Sequence, residues 1–186
     1  MKRIFLPLII VLCIHTAFAQ IKHAVTKSTI TFQIKNLGIN TGGSISGLKG
    51  DLQFDPAHPE TSSIEASVET GTINTDNDSR DEHLKSDSYF DVAKYPKISI
   101  KSVSLKHKSG NSYTGTFNLT IKDKTNQVEL PFTYTENGNT ASFKGSLKIK
   151  RTDYGVGGKS LIMSNDVSVT IDVEATKQSS EKSTNK

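Results

Sequence analysis

The chain has little of several residue types on which exported and catalytic proteins commonly rely. It has one cysteine, Cys13, and no tryptophan among its 186 residues. Cys13 lies inside an apolar N-terminal segment. The rest of the chain can therefore form no disulfide, no thiolate metal site and no cysteine nucleophile. An exported protein without disulfides must be held together by its hydrophobic core alone.

The N-terminus has the three parts of an export signal. Residues 2–3 are basic, residues 4–14 form an apolar run, and residues 17–19 supply the small side chains that precede a cleavage site. We therefore predict a signal peptide at residues 1–19 and an export route that ends in the periplasm or outside the cell.

Other roles for this segment fit less well. The apolar run is shorter than the ~18 residues that span a bilayer, so we expect no transmembrane anchor in the mature chain. Val11 and Leu12 are bulkier than the residues that a lipoprotein signal places before its cysteine. Removing residues 1–19 leaves 167 residues, which suits one domain, predicted at 20–175. Residues 176–186 lack apolar side chains and are predicted to be a disordered polar tail.

Charge and histidine placement argue against two classes of site. The net charge of +4 falls to +2 without Lys2 and Arg3, and no basic patch indicates nucleic-acid binding. We expect no metal and no cofactor, since the remaining histidines stand singly, without the spacing of metal ligands. These histidines are His23, His58, His83 and His107.

Most of the chain alternates apolar and polar residues with a period of two, as strands with one buried face do. Hairpin turns are predicted at residues 109–111 and at Asn137-Gly138, and a further turn at Gly42-Gly43. About eight strands at this spacing predict an all-β fold, either an antiparallel barrel or a sandwich. An eight-stranded barrel is filled by its own side chains or holds one small ligand.

The apolar side chains that would face inward are rich in Phe and Ile. They form either a packed core or the wall of a tunnel for an apolar chain, and both need an apolar interior. The candidate wall residues are Ile30, Phe32, Ile34, Ile98, Ile100, Phe117, Leu119, Phe132, Phe143 and Leu147.

Residues 79–96, SRDEHLKSDSYFDVAKYP, interrupt the alternation. Asp78 followed by Asp81 is close to a helix-capping pattern, so we predict a short helical insert near residues 78–90. Leu84 would then face inward. The insert is either a cover over one end of the barrel or the site of chemistry.

Arg80, Asp81 and His83 would form a charged group in this insert, and an Asp–His pair can act in acid–base catalysis. However, no nucleophile motif accompanies them, and Asp81 and His83 would lie on different sides of a helix. We therefore favour a cap and a buried Arg–Asp pair. Arg151, with Asp153 nearby, would pair with an internal carboxylate or with the phosphate of a ligand. All five residues are predicted to be structural or to contact a polar headgroup.

The same segment carries a family resemblance. Arg80-Asp81-x-His83-Leu84, Phe90-Asp91 and Tyr95-Pro96 resemble the signature of the YceI-like family of exported bacterial proteins. The resemblance extends to Leu119-Thr120-Ile121 and Arg151-x-Asp153-Tyr154-Gly155 and covers about residues 28–175. Where relatives often have His-Leu-Gly, this chain has Asn36-Leu37-Gly38.

The resemblance implies an extended, lipocalin-like antiparallel barrel with a hydrophobic interior. It implies a protein that carries or sequesters a long isoprenoid lipid, such as a polyprenyl phosphate or a quinone, and makes or breaks no bond. A ligand-free envelope stress or interaction protein is the first alternative, and an envelope enzyme using Arg80, Asp81 and His83 is the second. Both a monomer and an oligomer are compatible with the sequence.

Overall fold

The computed structural model of the protein describes residues 21–178, so the predicted signal peptide lies outside the described residues. Nine strands and one α-helix make up the described chain. The strands are β1 Lys22–Asn36, β2 Ile39–Ile45, β3 Lys49–Gln53, β4 Ser63–Glu69, β5 Lys97–Ser109, β6 Ser112–Ile121, β7 Lys124–Asn137, β8 Thr140–Lys150 and β9 Met163–Gln178. The helix, α1, is Asp78–Lys85. Within this part of the chain, no helix is long and apolar enough to cross a membrane.

The strands form one antiparallel sheet that closes on itself. From β3 to β9 each strand pairs with the next, and β1 pairs with β9 along almost its whole length. The other edge of β1 meets β3 at Lys22 and His23 and meets β2 over Ile30–Asn36. The structure is therefore an eight-stranded barrel with β2 as an extra strand, which confirms the predicted all-β barrel and excludes the sandwich.

The alternation in the sequence follows directly from this closure. In β6 every second side chain from Tyr113 to Ile121 is buried, while the residues between them are half-buried. Inward positions carry the apolar residues because a polar group that is buried without a hydrogen-bond partner costs free energy. The hairpins are tight: Gly110 and Gly138 lie in their turns with positive φ, as predicted from the sequence.

The predicted turn at Gly42-Gly43 is wrong, because both glycines lie inside β2. The chain turns instead at Leu37-Gly38. A Cβ atom on Gly43 would stand 2.5 Å from the Asn74 carbonyl oxygen, so glycine here serves close backbone approach and not a turn.

The boundary of the predicted disordered tail also needs correction. β9 continues to Gln178, so the first three tail residues are strand. Thr176 pairs with Ala24 and Thr140, because β9 lies between β1 and β8 and both neighbours extend that far. The remaining tail residues, 179–186, lie outside the described residues.

Residues 70–96, called the lid below, connect β4 to β5 and contain α1. Asn77 caps α1, with its Oδ1 accepting from the Arg80 amide at 2.9 Å, so the cap lies one residue before the predicted Asp78. The lid is held to the barrel by a bridge between Asn74 and Ser44. Its two ends are joined by the Thr70 amide, which donates to the Pro96 carbonyl. Its apolar side chains, including Leu84 and Phe90, pack on the end of the barrel.

Candidate functional site

One end of the barrel is packed with aromatic rings and is called the filled end below. Phe54 lies at its centre and has no exposed surface. Its ring centroid is 5.1 Å from that of Tyr113, 5.7 Å from Phe132, 4.8 Å from Tyr134 and 5.6 Å from Phe143. Rings at these spacings fill the barrel cross-section and leave no room for a ligand.

A polar network that runs from the buried His23 and Tyr134 to the surface lies beside these rings. The His23 Nε2 and the Tyr134 hydroxyl are 3.0 Å apart, the Tyr134 hydroxyl donates to Glu136, and the Lys177 ammonium donates to the same carboxylate. Burial lowers the pKa of His23. Burial and the adjacent Glu136 carboxylate raise the pKa of Tyr134 far above its usual range. Burial therefore favours the neutral form of His23. Because the Tyr134 hydroxyl donates its proton to Glu136, the hydrogen bond between His23 and Tyr134 is assigned to the His23 Nε2–H as donor.

Beyond the rings the barrel is hollow, and this part is called the hollow end below. It contains a cavity of about 310 Å³ that reaches from the aromatic floor to the lid. All strands of the barrel contribute to its lining, and the parts of the wall that come from β1, β4, β5 and β9 carry mainly Ile and Val side chains. Although these side chains point inward, many of them remain partly accessible, because branched aliphatic groups do not meet across the barrel.

All ten predicted wall residues line this cavity. They divide into two groups by depth. The buried ones, which form the floor and the lower wall, are Phe117, Leu119, Phe132, Phe143 and Leu147. The partly accessible ones, which form the open part of the wall, are Ile30, Phe32, Ile34, Ile98 and Ile100. That they contact a ligand stays a prediction.

Several other residues line the cavity and were not among the predicted wall residues. On β4 and β9 they continue an alternation that was visible in the sequence, so the same signal identifies them. These are Ile64, Ala66, Val68, Val167, Val169, Ile171 and Val173. The lid contributes Leu84, Tyr89 and Phe90, and no periodicity marks these because they follow a helix and turns.

The exposed Arg80 is a polar residue at the edge of the cavity. Its Nε donates to the Thr75 hydroxyl at 2.8 Å, and its Nη2 donates to the Thr75 carbonyl at 2.9 Å. Asp81 accepts from the amide and the hydroxyl of the same Thr75, at 2.9 Å and 2.5 Å. Thr75 thus stands between the two charges, and the predicted direct Arg–Asp pair is wrong.

Arg151 is also bound to neutral groups. It is 4% exposed, and its guanidinium donates to the carbonyls of Ser164, Val156 and Gly158, each at 2.9 Å, and to the Asn165 side chain at 3.2 Å. The predicted pairing with an internal carboxylate is therefore wrong. Arg151 ties the segment before β9 and the first residues of β9 to the end of β8, because several carbonyls converge there that no strand partner satisfies.

His83 and Asp153 do not join a reactive group. The exposed His83 packs edge-on against the Tyr89 ring, with centroids 4.9 Å apart. Asp153 is exposed, and its carbonyl accepts from the Asn126 side chain. Neither residue lines the cavity. Across residues 21–178, no three His, Cys, Asp or Glu side chains converge as metal ligands.

With this geometry established, the chain can be compared with known proteins. The family model for the YceI-like domain matches residues 22–175. A UPF0312 protein of Yersinia pestis is 30% identical over 152 residues, which are 78% of this chain and 79% of that protein. A UPF0312 protein of Azotobacter vinelandii is 27% identical over 156 residues, 80% of this chain and 81% of that one.

Solved structures share the barrel. BcnA of Burkholderia cenocepacia matches with a TM-score of 0.78 and 27% identity, over 82% of this chain and 99% of BcnA. The YCEI protein of Campylobacter jejuni matches with a TM-score of 0.68 and 21% identity over 96% and 99%. A polyisoprenoid binding domain from Saccharophagus degradans matches with a TM-score of 0.63 and 14% identity over 86% and 99%. At these identities the last two show the fold alone.

Proposed function

Since the chain belongs to the YceI-like family, we propose that it binds a long apolar lipid of the isoprenoid type inside the hollow end of its barrel. The observation that supports this most strongly is the cavity itself, which is enclosed by aliphatic and aromatic side chains. Its volume of about 310 Å³ lies at the lower end of the range of small-molecule sites. The polyisoprenoid-binding name of one fold relative agrees with this choice of ligand.

Binding here requires little polar recognition. Each methylene-sized group that leaves water contributes ~0.8 kcal/mol, so about ten such groups correspond to ~8 kcal/mol, or a micromolar dissociation constant before ordering costs. The branched methyl groups of an isoprenoid chain would meet the branched Ile and Val walls. The ligand is carried or sequestered, and no bond is made or broken.

We place the polar head of the ligand at the rim beside Arg80. Two of its nitrogens are bound to Thr75, and the guanidinium has five N–H groups in all, so donors remain for a phosphate. A polyprenyl phosphate would use these donors, whereas a quinone would depend on the walls alone.

We also propose that residues 1–19 direct export to the periplasm or the medium. Measuring the mass of the N-terminus of the exported protein tests this.

Native mass spectrometry of protein purified without detergent tests the binding proposal. We expect co-purified lipid, or uptake of an added polyprenyl phosphate or quinone. In the Val169→Phe variant the cavity is narrowed, and uptake should fall at least about tenfold. The matched control is Val103→Phe, the same change at an exposed position outside the cavity. Delipidated wild-type protein that takes up neither ligand contradicts the proposal.

Arg80→Gln separates the two headgroup classes. If Arg80 binds a phosphate, this variant binds polyprenyl phosphate about tenfold or more weakly while its affinity for the quinone is unchanged. Equal losses for both ligands indicate damage to the lid through Thr75. No loss for either ligand contradicts the placement of the headgroup.

A further inference from the structure

Four large apolar side chains stand exposed together at the hollow end. Leu37 and Ile39 belong to the β1–β2 hairpin and are 69% and 70% exposed, while Leu161 and Ile162 precede β9 and are 106% and 56% exposed. The Leu37 amide donates to the Ile162 carbonyl at 2.8 Å, so the two segments form one surface, called the apolar tip below. Among residues 21–178, the other exposed large apolar side chain is Val103 on β5.

The apolar tip borders the cavity. Asn36, whose register partners are Ile39 on β2 and Met163 on β9, lines the cavity together with Met163 and Thr41. Asn36 is exposed, so the lining reaches the surface beside the tip. A surface that accepts the tip therefore also faces the rim of the cavity.

The fold does not account for the leucine at this position. Leu37 and Gly38 have φ values of 50° and 78°, so both turn residues lie in the left-handed region. Asn-Gly is the favoured pair for such a hairpin turn, and a leucine there is strained. An exposed side chain that weakens its own turn points to a role outside the fold.

Within the two segments of the tip, the charges have one sign. Residues 35–41 contain Lys35 and residues 157–163 contain Lys159, and neither segment contains an acid. The acids at this end lie outside these two segments, in the lid and at Asp153 and Asp166. Exposed aliphatic side chains flanked by lysines match the interface of an anionic bilayer, where the apolar groups enter the acyl boundary and the ammonium groups meet the headgroups.

We propose that the apolar tip docks the rim of the cavity onto the surface of an anionic lipid bilayer. Leu161 and Ile162 enter the interface, with Leu37 and Ile39 beside them. The orientation places the cavity against the bilayer, so that an apolar ligand can pass between the two without crossing water. Docking rests on the tip alone and requires no bound lipid, so it stands apart from the proposed ligand.

The absence of tryptophan allows a local test on the full chain. Leu161→Trp places one fluorophore at the tip, and Val103→Trp is its matched control on the barrel wall. The probes are vesicles of phosphatidylcholine with and without phosphatidylglycerol, free of isoprenoids. We expect the Leu161→Trp emission to shift to the blue with phosphatidylglycerol vesicles and to be quenched by brominated acyl chains, while Val103→Trp changes in neither respect.

Second substitutions in the Leu161→Trp protein distinguish the apolar from the electrostatic contribution to vesicle binding. Ile162→Ser should weaken vesicle binding at least about tenfold, and Lys159→Gln should weaken it about fivefold at low salt. The proposal is overturned by an unchanged Leu161→Trp emission at saturating vesicle concentration, or by equal shifts at both positions. A shift that follows protein concentration without vesicles assigns the tip to a second copy of this chain and also overturns it. Equal binding to pure phosphatidylcholine contradicts the anionic preference.

Discussion

The filled end and the hollow end of the barrel use the same strands but different side chains. β9 contributes Ala175 to the filled end and Val167 and Val169 to the hollow end, all at the same alternating positions. The difference lies in what stands opposite: at the filled end the Phe54 ring contacts four other aromatic rings, while the wall of the hollow end carries mainly branched aliphatic groups. An apolar inward face therefore becomes core or cavity according to side-chain length.

The filled end should contribute mainly to the stability of the barrel, and the hollow end mainly to ligand binding. Close ring contacts at the filled end supply dispersion and burial that hold the barrel closed. The hollow end forgoes such contacts, and its partly accessible Ile and Val side chains lose less surface on folding. A bound lipid would supply the missing contacts. The apolar side chains that add little to stability in the empty barrel would therefore contribute to ligand affinity.

The largest expected difference follows from removing one ring at each end. Phe54→Ala leaves a buried hole among four aromatic partners and should lower the free energy of unfolding by ~3–5 kcal/mol. Phe32→Ala, on the partly accessible wall of the cavity, should cost less than about 2 kcal/mol, because its surroundings already lack close packing. Urea unfolding of both variants measures the difference. Equal losses would contradict the division of the barrel into two ends.

The next effect comes from adding the same bulk at each end. Ala175 has no exposed surface, so Ala175→Leu overpacks the filled end and should destabilise the protein by ~1–3 kcal/mol. Ala66 lines the cavity, so Ala66→Leu should change stability by less than about 1 kcal/mol while reducing lipid uptake. Thermal denaturation compares the two variants, and native mass spectrometry follows uptake by Ala66→Leu. A larger destabilisation in Ala66→Leu would show that the cavity is filled in solution.

Acidification should affect the filled end through His23. Burial holds the pKa of His23 below the 6.5 of an exposed histidine. Between the folded-state pKa and pH 6.5, His23 is therefore protonated in the unfolded chain and neutral in the folded chain. The contribution of His23 to stability is therefore fully present above pH 6.5 and is lost as the pH falls through the folded-state pKa. The groups that face it are Tyr134, Glu136 and Lys177.

Unfolding by urea between pH 7.5 and pH 5 measures this dependence. His23→Gln should flatten the curve over this range, even though it lowers stability at pH 7.5. The pKa of Glu136 is lowered by its hydrogen bonds to Lys177 and Tyr134, which outweigh the effect of burial, so the stability contribution of Glu136 is lost only at lower pH. A variant curve as steep as that of the wild type would assign the pH dependence to other groups.

The parts of the fold that could be predicted are those that depend on local pattern. Alternation placed Ile30, Phe32 and Ile34 on the inner face of β1, because a strand turns successive side chains to opposite sides. It could not say whether these residues meet partners across the barrel, since that depends on strand number and closure. The residues that line the cavity were therefore predictable from the sequence, and the existence of the cavity between them was not.

The wrong predictions have a common physical origin in tertiary contacts. Gly42 and Gly43 look like a turn in the sequence, but the fold brings the Asn74 carbonyl against β2 and needs glycine there. Arg151 looks like half of an ion pair, but the bend before β9 and the first residues of β9 together offer it three carbonyls. In each case the residue type indicates that another group lies close to it, and only the folded chain shows which group that is.

The smallest expected effect distinguishes folding from docking at the rim of the hollow end. Leu37→Asn creates an Asn-Gly turn and relieves a leucine at φ 50°, so it should raise the free energy of unfolding by about 0.5–1 kcal/mol. The same variant removes one side chain of the apolar tip and should weaken vesicle binding. Urea unfolding and vesicle flotation together measure both effects. If Leu37 stabilises its turn, Leu37→Asn should instead lower the free energy of unfolding. A rise in the free energy of unfolding together with weaker vesicle binding would mean that this rim carries a leucine for contact with a membrane and not for the stability of the barrel.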